Sequence, residues 1–376
     1  MTAKRGHKEG TIYQRPNGKW RAQISLNGGR LSFTGDTRIE AQEWLRSTRN
    51  QADNGLTLKG AKTTYGAFLT EWLATVKQRH AESTSYSYNQ LTRTYIQPAL
   101  GRTKLRDLNP TTIQRFYNQK VTDGIGLRTV QKMHTVIHAS LNAAMKLGLI
   151  GRNPDDATQP PKPVHKEMHF LSQEEVHKFL TTAKATDDNN YALYFTAIVT
   201  GMRQGELLGL KWQEVDLEKG IVNIKFSLTR SPGGGLKLQK PKTKSSERSI
   251  KLGKKSVAVL RRQKSRLLLE KEKSNGLWQD TDHVFPSSVG TALDPTNLNK
   301  QFHHLLKKAD LHRVRFHDLR HTAASLMLNN GVDVLVASRR LGHAKPSITL
   351  DVYGHLMPSI QAEAADVMDN LVAREK

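Results

Sequence analysis

The sequence predicts a multidomain protein, mainly α. It has a small β-rich N-terminal domain, an all-α middle domain, and a mainly α C-terminal domain carrying a small antiparallel sheet. Three observations lead to this reading. At 376 residues the chain exceeds one typical domain. Apolar residues alternate with period two in only two stretches, and elsewhere they recur at helical spacing. Composition breaks near residues 62 and 160 then divide the chain into 1–62, 63–160 and 161–376.

The first segment contains GTIYQRPNGKWRAQISLNGGRLSFTG, in which Ile12, Trp20, Ile24, Leu26, Leu31 and Phe33 alternate with polar residues. Asn17-Gly18 and Asn27-Gly28-Gly29 are hairpin signals, so three strands are expected. Ala41, Trp44 and Leu45 follow at helical spacing. The sheet would present Arg15, Lys19, Arg21 and Arg30 on its exposed face.

The middle segment is helical throughout. Thr63, Ser83/Thr84 and Asn109 occupy expected N-cap positions, with Pro110 as a first helical residue. GRNPDDATQPPKPVHKEM carries four prolines and reads as an extended linker.

In the last segment LSQEEVHKFLTTA opens with a Ser cap. NYALYFTAIVTGMRQGELLGLKW reads as a buried helix, a Gly turn and a second helix, with Tyr191 and Tyr194 in the core. A period-two insert surrounds Gly233-Gly234-Gly235, read as a hairpin tip and not a phosphate cradle because no helix start follows it. Helices then resume. At the C-terminus Ile360, Ala364, Val367, Met368 and Leu371 form an apolar stripe that needs a surface to cover it.

Charge narrows the function. Lys and Arg total 58 against 34 Asp and Glu, a formal charge of +24, and the surplus is spread over all three segments. That distribution suits a protein meeting a polyanion along its length. Cysteine is absent, which excludes disulfides, Cys-based zinc modules and thiol chemistry. No apolar run approaches a membrane span, so no membrane partner is expected and the protein is read as cytoplasmic.

The chemistry concentrates in HDLRHTAASLMLNNGVDVLVASRRLGHAKPSITLDVYGH, residues 317–355. His317 and His321 stand one helical turn apart, as in a zinc pair, but Arg320 lies in the same turn and its charge opposes a divalent ion. No carboxylate supplies a natural third ligand. A phosphate uses that Arg: His317 and Arg320 project together, and a guanidinium matches two non-bridging oxygens. TGMRQGELLGLKW supplies a second guanidinium, Arg203, at a loop-helix junction. Glu206 is placed to brace a neighbour.

Arg203, a strand-borne Lys, His317-x-x-Arg320, Leu341-Gly342-His343 and Tyr353, in this order, resemble the tyrosine recombinases of the phage-integrase family, lambda-integrase-like members with an N-terminal arm-binding domain. The resemblance covers the whole chain. It implies an arm-type DNA-binding domain at 1–62, a core-binding domain at 63–160 and a catalytic domain from 161. It also implies a catalytic set of Arg203, Lys242, His317, Arg320, His343 and Tyr353. Tyr353 would be the nucleophile, and Lys242 the general acid, with Lys244 a close rival and Lys240 a poorer one. His321, His355 and Trp212 would pack or hydrogen-bond nearby.

The residue types fit this chemistry. A phosphodiester under attack gains negative charge that fixed cations stabilise. A phosphotyrosyl ester conserves the bond, so neither cofactor, metal nor ATP is needed. Expected partners are double-stranded DNA at core and arm sites, a homotetramer on that DNA, a DNA-bending protein and an excisionase; the expected place is the bacterial cytoplasm, with the nucleoid. The alternatives are a type IB topoisomerase-like relaxing enzyme and a DNA-binding regulator without catalysis.

Overall fold

The computed structural model describes residues 10–26, 29–53, 62–163, 169–186, 189–240, 247–343, 345–347, 349, 350, 365, 366, 368–370 and 372. The chain falls into two compact units, Met1–His165 and Lys166–Lys376.

In the first unit β1 (Thr11–Gln14), β2 (Trp20–Leu26) and β3 (Gly29–Gly35) form an antiparallel sheet in the order β1-β2-β3. Gly18 turns the first hairpin at a φ of 79°, which a side chain would resist. Helix α1 (Arg38–Asp53) covers one face, where Ala22, Ile24, Leu31 and Ala41 are buried and Phe33 stacks on Trp44 at 5.7 Å. On the other face Arg21 pairs with Thr34 and Ser25 with Arg30, so both arginines stand where alternation places them. Lys19 and Arg15 belong to the turn instead. Lys19 is tied to Asp36 at 3.0 Å, and the Arg15 N–H donates to the Lys19 carbonyl.

The same unit continues with α2 (Tyr65–Arg79), α3 (Glu82–Leu91), α4 (Gln97–Leu100), α5 (Pro110–Thr122) and α6 (Leu127–Lys146). Their apolar faces bury Phe68, Leu69, Ile113, Phe116, Met133 and Ile137 together with Ile96 of the turn before α4. Each contributes about 1.5–3 kcal/mol of hydrophobic stabilisation. A π-turn at Thr92–Ile96 joins α3 to α4, next to Pro98, which has no N–H for the regular ladder.

Asn109 caps α5 as expected, accepting from the Thr112 N–H at 2.9 Å. Two other caps shift: Thr64, not Thr63, accepts from Ala67, and Ser83 and Thr84 lie inside α3, which follows Ala81. Adjacent capping residues are equivalent to sequence reasoning, and only the backbone turn selects between them.

The expected linker is a further correction, because its start is folded. Asn153 caps a 3-10 turn, Pro154–Ala157, and the Asp155 carboxylate is buried. It accepts from the Tyr117 hydroxyl at 2.9 Å and the Thr158 hydroxyl at 2.7 Å, with His134 Nδ1 2.9 Å away. Prolines announced a break in helix but not the carboxylate that pins it.

The second unit orders α7 (Gln173–Ala185), α8 (Tyr191–Thr200), α9 (Gln204–Leu208), β4 (Val215–Asp216), β5 (Ile221–Ile224), β6 (Ser227–Arg230), β7 (Leu236–Gln239) and β8 (Arg248–Lys251). It continues with α10 (Lys254–Lys273), α11 (Pro295–Lys308), α12 (Asp318–Asn329) and α13 (Val334–Leu341). Ser172 and Glu175 close a capping box on α7. Phe179, Tyr194, Phe302 and Phe316 meet edge to face at 5.3–5.4 Å or tilted, knitting α7, α8 and α11 to the residues before α12. Tyr194 is a core residue as expected, and Tyr191 packs against that core.

The β insert divides into a three-stranded sheet, β4-β5-β8, and a hairpin, β6-β7. Gly234 and Gly235 have φ of 91° and 79° at the open hairpin tip. Helix α12 packs on α8 and α13, and α13 also touches β8. No helix among the described residues is long and apolar enough to cross a membrane.

Candidate active site

Two helices end at left-handed glycines, and those two turns build the site. Helix α8 stops at Gly201, φ 63°, and α13 stops at Gly342, φ 73°. A helix C-terminus leaves carbonyls without intrahelical partners and carries partial negative charge, so it attracts cations. Each turn holds one of the predicted arginines. Arg320 Nη1 donates to the Gly201 carbonyl at 2.7 Å, and Arg203 Nη2 donates to the Gly342 carbonyl at 3.1 Å. The residues after these glycines, Met202-Arg203 and His343, enter the site directly, so the arginine of one turn is gripped by the other.

A Cβ at Gly201 would lie 2.4 Å from Leu341 Cδ2, which places α13 against the end of α8. Arg340 reinforces that junction, donating to the Val199 carbonyl at 2.9 Å and the Lys251 carbonyl at 3.0 Å.

Glu206, in the first turn of α9, is buried and braces the cluster as expected. It accepts from the Arg203 N–H at 2.9 Å and from Arg203 Nη1 at 2.9 Å. Its second partner was absent from the sequence reading. Arg248, at the start of β8, reaches Glu206 with Nη2 at 3.0 Å and Nη1 at 3.3 Å, and donates Nε to the Arg340 carbonyl at 2.8 Å. Burial pushes the Glu206 carboxyl up, but Arg248 and then Arg203 outweigh it and leave it below the ordinary range. The carboxylate is therefore ionised. Nothing in ERSIKL marks this arginine, since strand alternation gives its side but not its partner.

His317 is the residue before α12, and its carbonyl accepts the Arg320 N–H at 3.1 Å. Its ring stands edge to face with His321 at 5.6 Å. Asp318 is buried and holds Arg315 through a 2.7 Å bond, fixing the start of the helix. Desolvation by surrounding protein and then the charge of Arg320 lower the His317 imidazole. Desolvation and the neighbouring His317 push His321 down to about 4.

His343, half-buried, places Nδ1 2.8 Å from the Thr349 hydroxyl. Desolvation, then Arg320, Arg203 and Arg248, push it down to about 4. Thr349, another partner that sequence reading missed, is fully buried. Arg203, His317, Arg320 and His343 thus form one electropositive cluster with neutral imidazoles among fixed guanidinium groups. Such a cluster binds an anion and stabilises added negative charge.

Among the described residues no group of three or more His, Asp or Glu is arranged to hold a metal. Lys242, Lys244, Tyr353 and His355 lie outside the described residues; Lys240 is described, exposed, and just beyond β7. Trp212 packs on the core, with Lys264 over its ring at 5.5 Å.

Comparison with known proteins follows the same order along the chain. Residues 169–359 match the model described as Phage integrase family, and residues 64–121 the model described as Phage integrase, N-terminal SAM-like domain. A tyrosine recombinase XerC-like protein of Caldanaerobacter subterraneus is 28% identical over 361 residues, 91% of this chain and 92% of that protein. The ICEBs1 integrase of Bacillus subtilis is 26% identical, covering 95% and 98%.

In fold, the Tn1549 transposon integrase solved with transposon right end DNA superposes with a TM-score of 0.69 at 20% identity, over 83% of this chain and all of that one. The lambda integrase tetramer on a Holliday junction gives 0.57 at 18% identity, over 94% and 96%. Integrases and transposases as relatives favour strand exchange over the relaxing alternative. The chain belongs to the phage integrase family, site-specific recombinases that cleave and rejoin DNA.

Proposed function

We propose that this chain integrates and excises a mobile genetic element, a prophage or a conjugative element, with Arg203, Lys242, His317, Arg320, His343 and Tyr353 as its catalytic set. The observation that carries the residue assignment is the pair of glycine turns in which the Gly342 carbonyl holds Arg203 and the Gly201 carbonyl holds Arg320, beside His343. Guanidinium groups fixed before substrate arrives need no reorganisation when charge develops on phosphorus.

In this reading Tyr353 Oη attacks the scissile phosphorus, forming the O–P bond of a 3′-phosphotyrosyl ester as the bond to the 5′-oxygen breaks. Lys242 gives the leaving oxygen its proton. Arg203 and Arg320 clamp the non-bridging oxygens. His343, taking the Thr349 hydroxyl at Nδ1, offers an Nε2 proton to one of them. His317, its imidazole neutral in this cluster, takes the proton that leaves the Tyr353 hydroxyl and is the proton shuttle. Rejoining reverses these steps with another strand's 5′-hydroxyl.

Residues 1–62 hold arm sequences, 63–160 and 161–376 clamp the core site, and the enzyme works as a tetramer on DNA in the bacterial cytoplasm with the nucleoid, aided by a DNA-bending protein and an excisionase. The lambda integrase tetramer on a Holliday junction and the Tn1549 integrase with its DNA support DNA binding and multimeric assembly. The spread of positive charge supports the clamp. Met368 and Val372, 57% and 80% exposed, support a C-terminal segment that docks on a neighbouring protomer.

A duplex nicked beside the cleavage point, which loses its short product and traps the intermediate, tests the reading. A covalent adduct insensitive to EDTA and lost in Tyr353→Phe is expected. No adduct, or one surviving that substitution, overturns it.

A further inference from the structure

We infer that Arg248 is a positioning residue for strand cleavage: by sharing the charge of Glu206, it keeps the Arg203 guanidinium available to the DNA phosphate. The inference rests on the proposed roles of Arg203 and Tyr353 and adds a residue outside that catalytic set.

The geometry is a charge triangle. Glu206 is 3% exposed and has two oxygens. Arg203 reaches one of them with Nη1 and the other with its backbone N–H. Arg248 reaches both, while its own side chain is 8% exposed. A buried carboxylate facing one guanidinium takes its best geometry as a bidentate pair, which uses the donors that a phosphate needs. Placed between two guanidinium groups, it cannot neutralise either fully. The triangle keeps a net positive charge, and Arg203 keeps Nη2 turned to the Gly342 carbonyl.

Arg248 also floors the turn that carries His343. Its Nε holds the Arg340 carbonyl, and a Cβ at Gly342 would lie 2.8–2.9 Å from its guanidinium atoms. Only glycine lets that turn rest on Arg248. One buried side chain thereby ties α9, which carries Glu206, to the end of α13, with no atom of its own needed at the phosphate.

The test uses the full-length protein and the nicked duplex, with three readouts: adduct formation rate, duplex affinity and circular dichroism melting. Arg248→Met is expected to slow adduct formation about 10- to 100-fold, the usual cost of removing an outer partner of a functional group, with duplex affinity unchanged. Arg248→Lys, which keeps the charge but not the fork, is expected to lose less. The decisive variant is Arg248→Met with Glu206→Gln, where the excess negative charge is gone. It should regain most of the rate lost by Arg248→Met, a rescue that a packing defect would not show. Should Arg248→Met fail to fold, Arg248→Gln takes its place under the same criteria. Wild-type cleavage by the variant, or a double variant no faster than the single one, overturns the inference. An unmodified protein that forms no adduct overturns the proposed function itself, so the two failures are distinguishable.

Discussion

Each unit of this protein buries a carboxylate and uses it to tie distant segments, but the two carboxylates keep different company. Asp155 in the first unit is met by the Tyr117 and Thr158 hydroxyls and by His134. Glu206 in the second unit is met by two guanidinium groups. Around Asp155 the charge is contained, and the network closes a helical bundle onto the turn that follows it. Around Glu206 positive charge is left over, and it sits beside His317 and His343, which feel the charges of Arg203 and Arg320. A satisfied polar cluster makes structure; the same device with surplus cations makes an anion site.

The sharpest break between the two is Arg320→Ala set against Asp155→Asn. Removing a preorganised cation should slow adduct formation by about 10²- to 10³-fold, whereas Asp155→Asn should leave the cleavage rate of the folded protein unchanged. Trapping on the nicked duplex measures both, and equal losses would erase the distinction.

Stability should show the opposite pattern. Asp155→Ala removes the acceptor shared by the Tyr117 and Thr158 hydroxyls and is expected to cost the first unit about 1–3 kcal/mol. Urea unfolding followed by circular dichroism measures it, and an unchanged midpoint would make the pinned turn irrelevant to folding.

The glycine turns refine the comparison further. Gly18 and Gly201 both have positive φ, but a Cβ at Gly18 meets nothing within 4 Å while one at Gly201 meets Leu341 at 2.4 Å. Gly201→Ala should therefore destabilise by about 1–3 kcal/mol more than Gly18→Ala, the cost of overpacking beyond the shared backbone strain. Thermal melting of the two variants gives the difference.

The effect of pH is smaller than that of these substitutions. His321 and His343 are held near 4 in the folded protein against 6.5 when unfolded. The unfolded chain binds more protons below about 6.5, so these residues stabilise the fold above that pH and cease to as pH falls towards 4. A phosphate in the cluster reverses their surroundings and should draw protons in. DNA binding should then be tighter at pH 6 than at pH 8, with calorimetry in two buffers reporting proton uptake; binding independent of pH would place the phosphate elsewhere.

Salt sharpens the same point, since about 6–10 phosphate contacts predict a 10³- to 10⁵-fold loss of affinity between about 50 and 200 mM salt.

Much of this was legible before any coordinates. Period two against helical period separated the three strands from the helices, and residue type marked the Ser172 cap and the helix break at Gly201, because these are local consequences of the chain. Arg203, His317, Arg320 and His343 were legible as residue types in order, and the fold brings them into one electropositive cluster. Arg248 and Thr349 were not, because their partners are remote in sequence or reached only through a folded turn: Arg248 meets Glu206 across 42 positions and Arg340 across 92. The folded start of the supposed linker was hidden for the same reason, since Asp155 meets Tyr117 across 38 positions.

The sequence by itself determined most of the elements, the basic charge and the order of the Arg and His residue types that form the cluster, all of which are read from the chain without knowing its packing. Only the tertiary structure decided that the Gly342 turn holds Arg203, that the Gly201 turn holds Arg320, and that Arg248 shares the carboxylate that Arg203 meets. Those are pairings between remote segments, set by how helices and strands pack, and no local period encodes them.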